Sequence, residues 1–150
     1  MKHFFKYTFV ILITIIFIAS CDIKPNMSPA KVLQQLDYIH DFIYKTDGVY
    51  LSGLEYPAIK NNLIKEGFKR TNNSNKHMSI YTNGEIKLID TQIESGDYKG
   101  WHMIAEAFPM NSNNCESVKH SLPTYLTSAE YTTKVEYSNN YCVILTSAHL

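Results

Sequence analysis

The chain has 150 residues, enough for one domain of ordinary size and too few for two. Apolar residues make up 45% of it and charged residues 19%, a composition typical of globular rather than disordered proteins. Without Lys2 and Lys6, which precede a long uncharged run, 12 basic residues stand against 14 acidic ones. Nucleic-acid-binding proteins usually show a basic excess, so we expect no nucleic-acid partner.

The first twenty residues have the order of a secretory signal. Basic residues come first, followed by an uncharged and mostly apolar run over residues 9–20 that ends in small residues. This run is shorter than the roughly 20 residues that cross a bilayer comfortably. It leads into Ile18-Ala19-Ser20-Cys21, which resembles the bacterial lipoprotein signal: a branched aliphatic residue, two small residues and a Cys.

The resemblance implies a lipid anchor at Cys21. In such lipoproteins the thiol receives diacylglycerol and the signal is cut just before it, so residues 1–20 would be removed. Two or more acyl chains hold a protein stably at a membrane. Asp22 resembles the signal that retains lipoproteins of enteric-type bacteria in the inner membrane, which favours its periplasmic face over the outer membrane. The alternative is an uncleaved helical anchor with an incidental Cys.

Residues 21–28 are expected to form a short tether, and residues 29–150 a single domain. Ser28 followed by Pro29 is typical of a helix start, because Ser caps free amides and Pro suits the first turn. We expect this helix to end at the turn pair Asp47-Gly48. Its apolar positions recur at helical spacing and should face the core: Val32, Leu36, Ile39 and Ile43.

Further elements follow in chain order. A shorter helix is predicted from Pro57 to about Glu66, with Gly67 at its end. Strands over 79–82 and 85–88 flank Asn83-Gly84, a dipeptide typical of a two-residue hairpin turn. Later elements are a strand at Trp101–Phe108, a helix capped by Ser112, and two strands at Lys134–Tyr137 and Cys142–Leu145 across Ser138-Asn139-Asn140. This order predicts an α+β fold with an N-terminal amphipathic helix packed on a small antiparallel sheet.

Cys115 and Cys142 form an even pair once Cys21 is assigned to the lipid. In an exported chain such a pair favours a disulfide. The 26 residues between them would make a loop whose closure stabilises the fold by roughly 3–4 kcal/mol in the chain-entropy model. Neither Cys has a second Cys or a His at ligand spacing, so we expect no metal there.

Signals for catalysis are weak. Asp37, His40 and Asp41 share a helix, but such a cluster is more typical of a solvated face. His102 and His120 have no carboxylate or Cys at convincing metal spacing. The chain has no nucleophile elbow, phosphate loop or nucleotide fingerprint, so we expect no enzymatic activity and no cofactor. Scattered carboxylates cannot be paired from sequence alone: Glu55, Glu66, Glu85, Glu94 and Glu106.

The order of motifs from Tyr38 to Leu145 resembles the globular head of type IV pilins, nearest to the type IVb kind. In those heads an amphipathic helix runs into a Tyr-Gly-Leu-like turn, matched here by Val49-Tyr50-Leu51-Ser52-Gly53-Leu54. A hydrophobic-Pro step then precedes a Cys-bearing helix, matched by Phe108-Pro109 and Asn114-Cys115-Glu116-Ser117-Val118. Cys142 stands where the family has its second Cys. The resemblance implies a pilin-like α+β head closed by one disulfide.

The N-terminus differs from that of pilins. Pilins begin after a Gly, carry a Glu shortly afterwards and keep their apolar helix as a filament spine. This chain has no Gly before residue 48 and no acidic residue before Asp22. Removal of residues 1–20 would also remove the spine, which favours an accessory protein over a filament core subunit.

Two functions follow from these expectations. The first is a membrane-anchored, non-enzymatic lipoprotein that serves a type IV pilus, or a related secretion or adhesion assembly, as a pilin-like accessory or structural component. The second is a periplasmic or surface lipoprotein that binds and inhibits one target, as enzyme inhibitors, immunity proteins and exclusion proteins do. Both place the protein in the bacterial cell envelope, with a protein partner and with membrane contact through the lipid.

Overall fold

The computed structural model describes residues 26–43, 49–127 and 131–148. These residues form an α+β fold with an antiparallel sheet, which confirms the predicted class. The predicted signal peptide and Cys21 lie outside the described residues, as do Asp47 and Gly48. The prediction that the first helix reaches Asp47-Gly48 is wrong, because that helix ends at Phe42 and is capped by the backbone of Ile43. Among the residues that are described, no helix has the length and apolar character needed to cross a membrane.

Helix α1 spans Pro29–Phe42. The Ser28 hydroxyl accepts a hydrogen bond from the Lys31 N–H at 3.3 Å, as predicted, and such a cap stabilises a helix by about 1 kcal/mol. The chain is already packed against the domain at Met27, which is buried and donates its N–H to the Pro109 carbonyl at 2.7 Å. The four predicted core positions of the helix are all buried: Val32, Leu36, Ile39 and Ile43.

Two further helices precede the sheet. Helix α2, Val49–Ser52, is a single turn that the sequence did not predict. Helix α3 spans Pro57–Lys65, close to the predicted range. It ends as expected at Gly67, whose φ of +84° is readily adopted only without a Cβ. The Phe68 N–H returns to the Leu63 carbonyl at 2.9 Å, and both side chains are buried, so this helix end is closed by hydrogen bonding and by apolar contact.

The described residues form one six-stranded sheet in the order β1-β2-β3-β4-β6-β5, with every neighbouring pair antiparallel. Helix α4, Ser112–His120, and a 3-10 helix, Thr124–Thr127, lie between β4 and β5 in the chain. The Asn111 side chain caps α4 by accepting from the Asn114 N–H at 2.8 Å, so the predicted cap at Ser112 is wrong by one residue. The strands are β1 Lys69–Arg70, β2 Met78–Thr82, β3 Lys87–Gln92, β4 His102–Pro109, β5 Tyr131–Ser138 and β6 Tyr141–Ala148.

The β2–β3 hairpin is present, but its predicted two-residue turn is wrong. Thr82 pairs with Lys87, which leaves four residues in the loop and moves the start of β3 to residue 87. The Asn83 side chain accepts from the N–H groups of Glu85 and Ile86 at 3.0 and 2.9 Å, and Ile86 is buried in the core. This local capping and the burial of Ile86 outweigh the preference of Asn-Gly for a tighter turn.

The two-residue turn lies instead between β5 and β6. Ser138 pairs with Tyr141, so Asn139 and Asn140 alone make the connection. Their φ values are +49° and +63°, the left-handed conformation that this turn requires at both central positions. Asn adopts it more readily than most residues, which explains why the chain turns here as predicted.

The sheet has a helix-covered face and an opposite face, separated by the alternation of strand residues. Ile104 and Phe108 point to the helices and join the main core, which also contains the buried positions of α1, α3 and α4. Met103 and Ala105 point the other way and belong to a second apolar cluster. The buried members of this second cluster come from the strands and from Ile93, with side chains of the β3–β4 connection packed beside them.

Candidate functional site

The turn that follows α2 is held in one conformation by its glycine. Gly53 has a φ of +64° and closes the helical turn with its N–H on the Val49 carbonyl at 2.7 Å. A Cβ at this position would overlap the carboxylate of Asp90 and the ring of His102. Both the backbone conformation and the close approach therefore require glycine here.

Asp90 lies directly behind this turn, on the helix-covered face of β3. Its Oδ2 accepts from the Leu54 N–H at 2.7 Å, and its Oδ1 lies 2.6 Å from Nδ1 of His102 on β4. The side chain of Asp90 is only 3% exposed. A buried carboxylate is costly unless donors satisfy it, and here one backbone amide and one imidazole do so. Asp90 thereby connects the turn to two central strands.

Glu55, the next residue along the turn, is the centre of a second polar group. Its carboxylate accepts from Arg70 and Tyr81 at 2.8 and 2.9 Å, and from Lys60 at 2.9 Å. Burial alone would raise the pKa of Glu55, but hydrogen bonds from these side chains and from Ser79 outweigh it and bring the pKa to about 2. The carboxylate thus remains charged and joins the turn to α3, β1 and β2.

Tyr81 contributes to the same group from inside the core. Burial first, and then its hydrogen bond to Glu55, raise the pKa of the Tyr81 phenol well above its usual range. The phenol therefore stays protonated and serves as a hydrogen-bond donor. We name the 53–55 turn together with its supports Asp90, His102, Arg70 and Tyr81 the braced turn.

Two apolar side chains beside the braced turn are exposed. Leu51 and Tyr56, which flank the turn in the chain, have 59% and 39% of their surface exposed. Both Asp90 oxygens are engaged with the turn and with His102, and Glu55 is engaged by three neighbouring elements. These ionisable groups therefore position the backbone of the turn and each other.

The predicted disulfide between Cys115 and Cys142 is present, with the two Cα atoms 5.2 Å apart. Both residues are buried, and the bond joins α4 to β6. The supports of the braced turn lie on other strands of the sheet, β1 to β4. Cys21, the predicted lipidation site, lies outside the described residues.

The cluster of Asp37, His40 and Asp41 on α1 borders the 3-10 helix. Asp37 accepts a hydrogen bond from the Tyr125 hydroxyl at 2.7 Å, and the ring of His40 lies against the Tyr125 ring with centroids 4.0 Å apart. Burial and then Asp37 raise the pKa of Tyr125. Asp37 and Asp41 are exposed, as expected of a solvated face, whereas His40 is half-buried.

The remaining carboxylates are spread over the molecule. Within residues 26–43, 49–127 and 131–148, no group of three or more His, Cys, Asp or Glu side chains is placed to hold a metal ion. Glu106 is buried on the helix-covered face of β4. Surface pairs account for others: Glu66 with Tyr38, Glu85 with Lys31, Glu94 with His77, and His120 with Glu116.

Sequence reasoning did not find the pairing of Asp90 with His102. No local signal marks the pair, because β3 also contains Lys87, Thr91 and Gln92, and β4 also contains Glu106. Their encounter depends on the β3–β4 register, which places Gln92 opposite His102 and Asp90 opposite Ile104. That register follows from the whole sheet rather than from local sequence.

Searches of protein families, curated proteins and solved structures found no match to this chain.

Proposed function

We propose that this chain is a membrane-anchored, non-enzymatic lipoprotein that acts as a pilin-like accessory component of a type IV pilus or a related secretion or adhesion assembly. The signal resemblance of Ile18-Ala19-Ser20-Cys21 supports the anchor. The anchor would place the domain in the cell envelope, with the membrane on one side and a protein partner on another.

The order of elements supports the pilin-like part of the proposal. Amphipathic helix α1 is followed by the glycine turn at Gly53, an antiparallel sheet, the Phe108-Pro109 step and a helix that carries Cys115. The disulfide then joins that helix to the last strand. These features follow one another in the order found in the globular heads of type IV pilins.

The braced turn carries the binding part of the proposal. Its charged groups hold the backbone, and the apolar side chain of Leu51 beside it faces solvent. An enzyme would direct such groups toward a substrate, whereas a docking element needs a fixed backbone and an apolar surface. Tyr56 adds an aromatic side chain of the kind enriched at interfaces.

The anchor is tested by the intact mass of the membrane-extracted protein. We expect a chain that begins at Cys21 and carries acyl groups. Cys21→Ser should leave the precursor uncleaved and unlabelled by fatty acid, whereas the matched control Ser20→Ala keeps a small residue before the Cys and should be processed normally. Normal cleavage and labelling of Cys21→Ser would refute the anchor.

The partner is tested by affinity purification of the full chain from membranes in mild detergent. We expect pilus or secretion components to be recovered with the native chain and with Ile64→Ser, which alters an exposed aliphatic residue of α3. Leu51→Ser should lose them. Recovery of a single foreign enzyme or toxin instead would contradict the assembly role and favour the inhibitor, immunity or exclusion alternative.

A further inference from the structure

The two edges of the sheet differ in length. At one edge β1 has two residues, and at the other β5 has eight. Within the part of the chain that the structure describes, β5 is the last strand in the sheet order and pairs with β6 alone. A long edge strand offers a row of backbone donors and acceptors to another strand.

The sequence of β5 is complementary to itself around Val135. If two copies of β5 pair antiparallel with Val135 opposite Val135, Lys134 of each copy lies opposite Glu136 of the other. Directly opposite residues in an antiparallel pair lie on the same face with Cβ atoms about 4.5–5.5 Å apart. Opposite charges at such positions favour pairing, and like charges oppose it.

Neighbouring symmetric registers lack this match. A shift that centres the pairing on residue 134 places Lys134 opposite Lys134, and a shift to residue 136 places Glu136 opposite Glu136. The charge pattern therefore selects the register centred on Val135. In that register Thr133 lies opposite Tyr137, which is 39% exposed and can cover its partner strand.

We propose that β5 pairs with β5 of a second copy about a two-fold axis through Val135, so that the two sheets join into one continuous sheet. Val135 faces the helix-covered core, where it is partly buried, and so Lys134 and Glu136 lie on the opposite face. The two Lys134–Glu136 pairs of the dimer would then form together on that face. Each copy contributes the same surface, as a closed two-fold contact requires.

The surroundings of Glu136 are consistent with this arrangement. Burial raises the pKa of its carboxyl, while the positive charges of Lys134 and Lys119 oppose that effect. A lysine from a second copy would add a further positive charge beside the same carboxylate. Pairing would therefore favour its ionised form.

The inference is tested by charge reversal in two differently tagged full chains, coexpressed and purified from membranes in mild detergent. The native chains should copurify. Lys134→Glu and Glu136→Lys each create two like-charged pairs, so each variant should associate with itself roughly tenfold more weakly. Their mixture restores two opposite pairs, and the Lys134→Glu chain should therefore capture the Glu136→Lys chain as the native chains capture each other.

A second measurement locates the axis. Val135→Cys should form a covalent dimer on mild oxidation in intact membranes, because the two side chains would be neighbours across the axis. Glu85→Cys, at the exposed β2–β3 turn, is the matched control and should remain monomeric. Native chains that fail to copurify, single reversals that associate like the native chain, a mixture that fails to associate, or a Val135→Cys chain that stays monomeric on oxidation would each overturn the proposal.

Discussion

Two parts of the sheet are fastened to the helices by different chemistry. The disulfide joins β6 to α4 by a covalent bond, whereas β2 and β3 hold the 53–55 turn through hydrogen bonds and charges. A covalent bond responds to reductant and is indifferent to moderate changes of pH. The hydrogen bonds to Glu55 weaken when the pH falls and its carboxylate is protonated. Those to Asp90 are disturbed when a larger residue replaces Gly53. The two fastenings can therefore be loosened separately.

The largest effect is expected at the covalent fastening. Replacing Cys115 and Cys142 by Ser should lower the free energy of unfolding by about 3–4 kcal/mol, because the unfolded chain regains the entropy of an open loop. Urea denaturation measures the change. Ser117→Ala, on the exposed side of the same helix, is the control and should shift the value by less than about 0.5 kcal/mol. An unchanged stability of this double variant would mean that the bridge contributes nothing.

Gly53→Ala should be nearly as damaging at the other fastening. The new Cβ combines a left-handed backbone with overlap against Asp90 and His102, and we expect a loss of about 2–3 kcal/mol. Gly96→Ala is the matched control, because its φ of +85° is similar but no atom lies within 4 Å of the added Cβ. It should lose only about 1 kcal/mol. Equal losses for the two variants would show that the close approach at Gly53 is unimportant.

Glu55→Gln should remove the part of the pH dependence of the free energy of unfolding that comes from the braced turn. The folded-state pKa of about 2 lies below the usual 4.5, so the stabilisation is complete above pH 4.5 and is lost as the pH falls from there toward 2. Because the side chain is 37% exposed, solvent screening reduces the effect to about 1–2 kcal/mol at neutral pH. The stabilities of native and variant proteins should converge near pH 2. A constant difference across this range would contradict the assignment.

The smallest effect is expected for an exposed ion pair that belongs to neither fastening. Lys31 of α1 contacts Glu85 of the β2–β3 turn at 3.0 Å, and both side chains are well exposed. Lys31→Ala should change the free energy of unfolding by less than about 0.5 kcal/mol, since water and salt screen such pairs. A larger loss would contradict the expected screening of this pair.

Features set by neighbouring residues were predictable from the sequence. The Ser28 cap, the buried stripe of α1 and the helix end at Gly67 each depend on positions within a few residues of one another. The disulfide was predictable from the even number of Cys residues left after Cys21 and from the predicted export of the chain. Short elements such as α2 and β1 were missed, because their few residues carry too little periodicity.

The two hairpins show that the turn preference of two neighbouring residues is not enough to predict the length of a loop. Asn83-Gly84 has the stronger intrinsic preference for a two-residue turn, yet the burial of Ile86 widens its loop to four residues. Asn139-Asn140 forms the tight turn, because β5 and β6 pair over eight residues and bring their ends together. The braced turn was missed for the same reason: strand register and core packing bring Asp90, His102 and Tyr81 to it.

The backbone contact at Met27 limits how far the domain can stand from a lipid anchor. Its N–H is fixed to the Pro109 carbonyl, so the covalent length of the chain from Cys21 to Met27 sets the greatest possible distance between Cys21 and this contact. Fully stretched, that segment reaches about 20 Å. If Cys21 carries the acyl chains, the end of the domain that contains Pro109 must remain close to the lipid headgroups. Any partner of this protein would then meet it at the bilayer surface rather than far out in the surrounding space.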